Sequence, residues 1–263
     1  MVFPDDGARP AVGVGQDALV VAYGAQMICG DDVRRRRYLG SGDSGPLMAW
    51  KRPELAASLA KYQTVGDVWL RIVHGVHQPS SPQMERGLRE EPRLRTIYRE
   101  TIGPCSEAPG VIAHPSLEWA CGSPDSYLED SGILELKTTV IWAKHLWGEP
   151  ATDKIPNSYM TQVQWQLACS GRDWWRLLVA FGSDGVDENN QPIFSIHDQA
   201  IYQGERDDEL CAELLGYGEE FWRSHVEARV APGIPSLHNK RHWKRLQNER
   251  HPDELLKRLG QAG

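Results

Sequence analysis

The chain has 263 residues, of which 40% are hydrophobic, so it can bury a substantial core, and one large domain is favoured over two. The formal net charge of −7 excludes a protein coated uniformly in positive charge. It does not exclude a protein that binds nucleic acid through local basic clusters, such as Arg34–Arg37 and Lys240–Arg245. No stretch resembles a signal peptide or approaches the length of an apolar membrane span, so we expect a soluble, cytoplasmic protein.

The cysteines indicate a reducing compartment. Five of them are scattered along the chain without a C-x-x-C pair, at Cys29, Cys105, Cys121, Cys169 and Cys211. An iron–sulfur or zinc site would need closer spacing. We therefore expect reduced, buried thiols.

The N-terminal part combines an irregular arm with a basic run. Residues 1–29 form the predicted arm, in which Ala18–Tyr23 favours a short strand. The run Arg34–Arg37 precedes a Gly/Ser-rich stretch, Tyr38–Gly45, whose hydroxyl and N–H groups suit a phosphate together with the guanidinium groups. On these residues alone, a solvated charge run beside a flexible loop is the favoured alternative.

Helices are predicted next along the chain. Pro46–Lys61 and Thr64–Gly75 have helical patterning, and the second carries an apolar stripe. Ser80–Gln83 is typical of a helix start, with a polar cap and an early proline. This helix runs toward Tyr98, and Pro92 predicts a kink or a restart within it.

The second half alternates between strands and helices. The predicted elements, in chain order, are the strands Val111–His114 and Leu117–Cys121, a helix Tyr159–Ser170 capped by Asn157 or Ser158 and closed by Gly171, the strands Trp174–Phe181 and Ile193–Tyr202, a helix Glu205–Arg229, and a basic tail with a final helix over residues 231–263. On the helix Tyr159–Ser170, Gln162 and Gln166 lie one turn apart with Tyr159 adjacent. A functional face and an exposed polar stripe explain this spacing equally well.

The stretch Ile133–Lys137 alternates like a strand, so Glu135 and Lys137 point to one face and Leu134 and Leu136 to the other. The turn-forming residues Glu129–Gly132 join this strand to a segment that carries Asp125. The sequence therefore predicts a hairpin with acidic and basic side chains on one face.

The register of this hairpin decides whether Asp125 reaches that face. A four-residue loop would pair Leu128 with Ile133 and place Asp125 opposite Leu136, on the wrong face. A loop one residue longer or shorter, or a bulge near Pro124, would bring Asp125 beside Glu135 and Lys137. We predict a bulge or bend at Pro124.

These residue types fit phosphodiester hydrolysis. Asp125 and Glu135 can hold one or two Mg²⁺ ions, with the backbone carbonyl of Leu136 and water completing the coordination. The metal would acidify an attacking water. Lys137 could orient or deprotonate that water, with its own pKa lowered by the metal.

The run Ala120–Thr139 resembles the central motif of the lambda-type exonucleases, the viral recombinase or alkaline exonuclease group of the PD-(D/E)xK nuclease superfamily. Three further stretches match in the expected order: Gly87–Pro92 resembles the helical G-x-x-x-E, Ser158–Gln164 resembles the Y-x-x-Q-x-Q helix, and Gly30–Gly40 resembles the segment whose Arg and Ser bind the 5′-phosphate. The similarity covers about residues 30–203.

The resemblance implies roles for individual residues. Asp125 and Glu135 become metal ligands, Lys137 the catalytic lysine and Glu91 the helix-borne acid, while Gln162 and Tyr159 shape the site. Tyr38 stands at the position of the phosphate-binding arginine, with Arg37 next to it, and the partner serine is Ser41 or Ser44.

The resemblance also implies a fold and an activity. The fold would be α/β, with a central mixed β-sheet flanked by helices in a nuclease domain over residues 30–230. The activity would be Mg²⁺-dependent 5′→3′ exonuclease digestion of one strand of linear double-stranded DNA in phage-type homologous recombination, with Mn²⁺ able to substitute. A ring-shaped homotrimer and a single-strand annealing protein as partner are also implied. Two alternatives are an endonuclease of restriction or resolvase type and a non-catalytic DNA-binding module.

Overall fold

A computed structural model describes residues 38–76 and 78–233, together with the backbone of residues 20 and 21. Several predictions lie outside these residues. They concern the rest of the N-terminal arm with Cys29, the arginine run that ends at Arg37, and the tail helix beyond residue 233. None of the helices in the described part is long and apolar enough to span a membrane.

Strands in the described residues form two sheets. In chain order they are β1 (Val20–Val21), β2 (Val111–Ala113), β3 (Cys121–Gly122), β4 (Ser126–Leu128), β5 (Gly132–Val140), β6 (Trp174–Val186) and β7 (Pro192–Glu205). The larger sheet has the order β4-β5-β6-β7, and β1-β2-β3 form a small antiparallel sheet. In the larger sheet β5 and β6 are parallel, whereas β4–β5 and β6–β7 are antiparallel, so the predicted mixed sheet is confirmed.

The α-helices of the described residues are α1 (Ser44–Lys51), α2 (Ala56–Leu59), α3 (Val65–His74), α4 (Pro82–Thr101), α5 (Asn157–Ser170) and α6 (Asp208–Phe221). Short 3₁₀ turns cover Ser41–Asp43, Pro53–Leu55 and Ile141–Leu146, and a π-helical turn, Trp222–Glu227, continues α6. Helix α5 lies in the crossover that the parallel pair β5 and β6 requires.

Helices cover both faces of the larger sheet. On one face, Leu94 and Tyr98 of α4 pack with the even-numbered apolar residues of β5 and β6, such as Leu134. On the other face, Val163 and Leu167 of α5 pack with odd-numbered residues, which include Ile133, Trp175, Leu177 and Val179. Strand β5 is buried on both faces, and its odd-numbered residues face α5. Because successive side chains alternate, Glu135 also lies under α5.

A third apolar cluster joins the remaining helices to α5. Its buried members come from α1, α2, α3 and α6 and include Leu47, Val68 and Phe221. Trp165 of α5 is fully buried within it and donates its indole N–H to the carbonyl of Cys121, at 2.8 Å. Helix α5 is therefore fixed between the sheet and this cluster.

The four-residue loop considered for the hairpin of β4 and β5 was wrong, and the loop that is one residue shorter is confirmed. Leu128 pairs with Gly132, not with Ile133, so the loop contains three residues. Two of them, Asp130 and Ser131, adopt positive φ angles of 51° and 66°. The segment bends at Asp125, directly after Pro124, as predicted.

Several element boundaries differ from the sequence predictions. The helix predicted over Pro46–Lys61 is broken after Lys51 because Pro53 cannot continue the hydrogen-bond ladder. Conversely, α4 continues through Pro92 without a restart. Helix α5 begins at Asn157 with Pro156 at its N-cap, so the predicted side-chain caps were wrong, although Gly171 closes the helix in the left-handed region as expected. The strand predicted over Leu117–Cys121 is reduced to Cys121–Gly122.

Strand β7 has a bulge at His197, opposite Phe181 and Gly182 of β6, and the close approach of the two strands there can be tested. A Cβ at Gly182 would lie 2.1 Å from the carbonyl oxygen of Ser195, which the backbone of β7 holds in place. We expect Gly182→Ala to lower the free energy of unfolding by about 1–3 kcal/mol, as measured by urea denaturation.

The matched control is Gly185→Ala on the same strand. A Cβ at Gly185 would meet two side-chain atoms of Ile193, Cγ1 at 3.7 Å and Cδ1 at 4.0 Å, which are ordinary contact distances. The free energy of unfolding should then equal or exceed that of the parent. Equal losses in the two variants would contradict the close approach at the bulge.

Candidate active site

Glu135 on β5 is the most deeply buried acid of the site, with 1% of its surface exposed. Its Oε1 atom accepts hydrogen bonds from Lys137 Nζ and from Gln162 Nε2, the latter at 2.6 Å. Its Oε2 atom accepts from Gln166 Nε2 at 2.8 Å. The strand therefore supplies the charge of Lys137, and helix α5 supplies two amide donors one turn apart.

Asp125 stands beside Glu135 at the start of β4. The pairs Ser126–Leu134 and Tyr127–Ile133 set a register that places Asp125 next to Glu135. The backbone of Asp125 donates to the carbonyl of Leu134 at 3.1 Å, and its Oδ2 accepts from the N–H of Leu136 at 2.7 Å. The structure thus brings Asp125, Glu135 and Lys137 together, as the prediction of a hairpin with a loop one residue shorter required.

The electrostatics of the site reflect its crowded carboxylates. Burial raises the pKa of Asp125 well above its ordinary value, and the charges of Glu135 and Glu91 raise it further. Lys137 and the N–H of Leu136 act in the opposite direction. Asp125, Glu135 and Glu91 therefore gather negative charge in a small volume, which a cation would neutralise.

Lys137 is held among these acids. Burial on its own lowers the pKa of Lys137, but the charges of Glu135 and Asp125 outweigh burial and raise that pKa above its ordinary value. A bound metal ion would lower the pKa of Lys137 only if its charge outweighed that of these two carboxylates.

Tyr159 forms one wall beside Lys137. The Nζ atom of Lys137 lies 5.3 Å from the centre of the Tyr159 ring. The ring stacks on Trp147, with the two centroids 5.3 Å apart, and Trp147 is buried against the sheet. Because Trp147 packs on Phe181 and Tyr202, the aromatic pair fixes the first turn of α5 against the larger sheet. The site-shaping role of Tyr159 stays a prediction.

Glu91 reaches the site from α4 on the opposite face of the sheet. Arg95 Nη2 contacts both the carboxylate of Glu91 and the backbone carbonyl of Asp125, so Glu91 lies near the start of β4, and its charge raises the pKa of Asp125. Glu91 pairs with Arg95, one turn later on the same helix. The neighbouring Glu90 is more deeply buried than Glu91 and pairs with Arg89 and Arg93. The role of Glu91 as the helix-borne acid stays a prediction.

The segment predicted to bind a 5′-phosphate packs against α5. Ser41 and Ser44 are buried, and the hydroxyl of Ser44 donates to the carbonyl of Ser41 at 2.7 Å. Asp43 between them pairs with Arg71 at 2.5 Å. Phosphate binding by these serines stays a prediction, and their proposed partner Arg37 lies outside the described residues.

Two site residues were missed from the sequence, although their spacing offered a signal. Gln166 follows Gln162 by one helical turn, but the family resemblance implied a role for Gln162 only. Arg95 follows Glu91 by the same interval on α4. In each pair the i, i+4 spacing placed the second residue beside the first.

The chemistry of these donors fits a hard divalent cation. Asp125 and Glu135 offer carboxylate oxygens, the ligands that Mg²⁺ prefers. The Oε1 atom of Gln166 is buried and has no hydrogen-bond partner in the described residues, so the site holds a further unsatisfied oxygen acceptor. No group of three or more His, Cys, Asp and Glu side chains suited to a metal occurs in the described residues, so such an ion would rest on two carboxylates, other oxygen donors and water. Coordination by the Leu136 carbonyl stays a prediction.

Comparisons with known proteins match the part of the chain that carries these residues. Residues 53–173 match the YqaJ-like viral recombinase domain, a segment that contains Glu91, Asp125, Glu135 and Lys137. Crystal structures of LHK-Exo, an alkaline exonuclease from Laribacter hongkongensis, are 26% identical in sequence and cover 74% of this chain and 91% of that chain. Their TM-scores are 0.53 and, for the complex with dAMP, 0.54.

A phage-related exonuclease from Haemophilus somnus 129PT has the same fold, with a TM-score of 0.52 at 11% identity over 73% of this chain and 96% of that chain. A search of curated proteins by sequence found no match. The PD-(D/E)xK type of fold expected from the sequence is confirmed by the likeness to the alkaline exonuclease.

The contact of Gln166 with Glu135 can be tested by a double-mutant cycle. Gln166→Leu removes the only donor that the described residues give to Glu135 Oε2. We expect the free energy of unfolding to fall by about 1–3 kcal/mol, because a buried carboxylate oxygen loses its partner. In a Glu135→Leu background the same change should cost less, as measured by urea denaturation. Additive effects in the double variant would contradict the contact.

Proposed function

We propose that this chain is a member of the viral recombinase and alkaline exonuclease group of PD-(D/E)xK nucleases and that it acts as a Mg²⁺-dependent 5′→3′ exonuclease. Its substrate is one strand of linear double-stranded DNA, and its role is in phage-type homologous recombination. The observation that carries the proposal is the convergence of Asp125, Glu135 and Lys137 on one face of the hairpin, under helix α5.

Each residue has a task that its surroundings support. Asp125 and Glu135 would hold the divalent cation, which would supply positive charge near the phosphate and acidify a water molecule. Lys137 lies against Glu135, where its ammonium group can orient that water or contact the phosphate. Gln162 and Gln166 keep the Glu135 carboxylate in one orientation, and Glu91 adds negative charge from α4.

The remaining parts of the proposal rest on the family likeness. Mn²⁺ substitutes for Mg²⁺ because both accept oxygen ligands. The chain assembles as a ring-shaped homotrimer and works beside a single-strand annealing protein. Arg37, with Ser41 or Ser44, binds the 5′-phosphate of the strand to be digested, and Tyr159 lines the path of that strand.

One assay separates the proposed activity from its alternatives. The parent protein is incubated with end-labelled linear duplex, with or without a 5′-phosphate, and with covalently closed circular DNA. We expect digestion of the linear duplex from its 5′ ends in Mg²⁺ or Mn²⁺, loss of digestion in EDTA, and an intact circle. A nicked or linearised circle would indicate an endonuclease, and an intact linear duplex with bound protein would indicate a non-catalytic module.

The role of Lys137 is tested by Lys137→Ala. Because the ammonium group contacts the acid that holds the cation, we expect the rate of digestion to fall by about 10²–10⁴-fold while binding to DNA ends is retained. Digestion is measured on end-labelled duplex, and binding by fluorescence anisotropy.

The matched control is Lys51→Ala. Lys51 pairs with Glu220 at 2.7 Å, where α1 meets α6, so this variant should digest DNA at the parental rate. Parental digestion by Lys137→Ala would end the catalytic assignment of Lys137.

A further inference from the structure

Arg95 is a buried arginine that connects two of the acids of the site. It lies on α4 and is 7% exposed. Its Nη2 atom donates to the backbone carbonyl of Asp125 at 3.0 Å and also pairs with the carboxylate of Glu91. Its Nε atom donates to the hydroxyl of Ser126 at 3.0 Å, and that hydroxyl donates in turn to the same Asp125 carbonyl at 2.7 Å.

The planar guanidinium group makes this connection rigid. Its donors point in fixed directions, so contacts with two partners fix the distance between them. Here the partners are the side chain of Glu91 on the helix and the backbone of Asp125 at the entrance to β4. Asp125 lies in a bend rather than in a strand, and two contacts with β5 hold its backbone N–H and its side chain, at the carbonyl of Leu134 and the N–H of Leu136. Its carbonyl is held by Arg95 and by the hydroxyl of Ser126, so Arg95 supplies the contact that joins Asp125 to α4.

Other arginines of α4 fasten the helix to the fold without contacting these acids. Arg86 donates to Thr138 and pairs with Asp184 at 2.6 Å. Arg99, one turn after Arg95, donates to the carbonyls of Cys105 and Ser106 at 3.1 and 2.9 Å. Among the arginines of α4, contact with both Glu91 and Asp125 distinguishes Arg95.

We propose that Arg95 is a positioning residue that sets the placement of Glu91 and Asp125 and thereby the affinity of the site for a divalent cation. This inference rests on the proposed function, because it takes Asp125 as a ligand of the cation. Arg95 itself contacts neither substrate nor metal in this assignment. It acts through the residues that it holds, as outer partners of metal ligands do.

The test measures metal affinity directly. Mn²⁺ is titrated into the protein without DNA in a calorimeter, for the parent, Arg95→Gln and Arg99→Gln. We expect Arg95→Gln to bind Mn²⁺ about 10–100-fold more weakly than the parent. The concentration of Mg²⁺ that gives half-maximal digestion should rise in the same variant. Arg99→Gln, which also removes a guanidinium group from α4, should stay within about twofold of the parent in both measurements.

A second substitution keeps the test decisive if Arg95→Gln does not fold. Arg95→Lys retains the positive charge, but a single ammonium group cannot reproduce the fork that joins Glu91 to Asp125. We expect this variant to unfold cooperatively and to bind Mn²⁺ more weakly than the parent. Parental Mn²⁺ affinity in folded Arg95→Gln overturns the inference, whatever its melting temperature. Where Arg95→Gln does not fold, parental affinity in Arg95→Lys overturns it.

The failure of this inference is distinguishable from the failure of the proposed function. A parent protein that binds Mn²⁺ but leaves linear duplex intact refutes the exonuclease proposal, and the comparison of Mn²⁺ affinities still decides the role of Arg95. A parent that digests duplex, beside an Arg95→Gln variant with parental affinity, refutes only the role of Arg95.

Discussion

The structure depends on one buried carboxylate, that of Glu135. A buried carboxylate destabilises a fold unless it is paired and hydrogen-bonded. Glu135 is 1% exposed, and Lys137, Gln162 and Gln166 supply its partners. Two of the partners come from helix α5, so the helix has to lie over β5 at one particular rotation. The third apolar cluster holds α5 in that place through Trp165 and its neighbours.

Three separate stretches of the chain meet at this carboxylate because of the sheet topology. The parallel pairing of β5 and β6 puts α5 in the crossover, on the face that Glu135 occupies. The antiparallel pairing of β4 and β5 brings Asp125 to the same edge. Helix α4 packs on the opposite face and contributes Glu91, whose partner Arg95 reaches the backbone of Asp125. The acids thus come from the hairpin and from α4, while α5 contributes the amide groups of Gln162 and Gln166.

The hairpin register illustrates how much a local ambiguity matters. A four-residue loop and a three-residue loop are both compatible with Glu129–Gly132, yet only the shorter one places Asp125 beside Glu135. The shorter loop requires positive φ at Asp130 and Ser131, which costs free energy for residues other than glycine. The apolar contacts of Leu134 and Leu136 with α4 accompany that register, because a shift by one residue would turn the acids into the apolar layer.

The sequence by itself determined most of the elements and the hairpin that carries Asp125, Glu135 and Lys137, because alternation, turn residues and capping residues are local signals. The mixed fold class came from the resemblance that the ordered motifs carry. The sequence also predicted the face of α5 that carries Gln162. Only the tertiary structure decided the loop length, the continuation of α4 through Pro92, and the contacts of Gln166 and Arg95. These outcomes depend on which elements pack against each other, and residues far apart in the chain make those contacts.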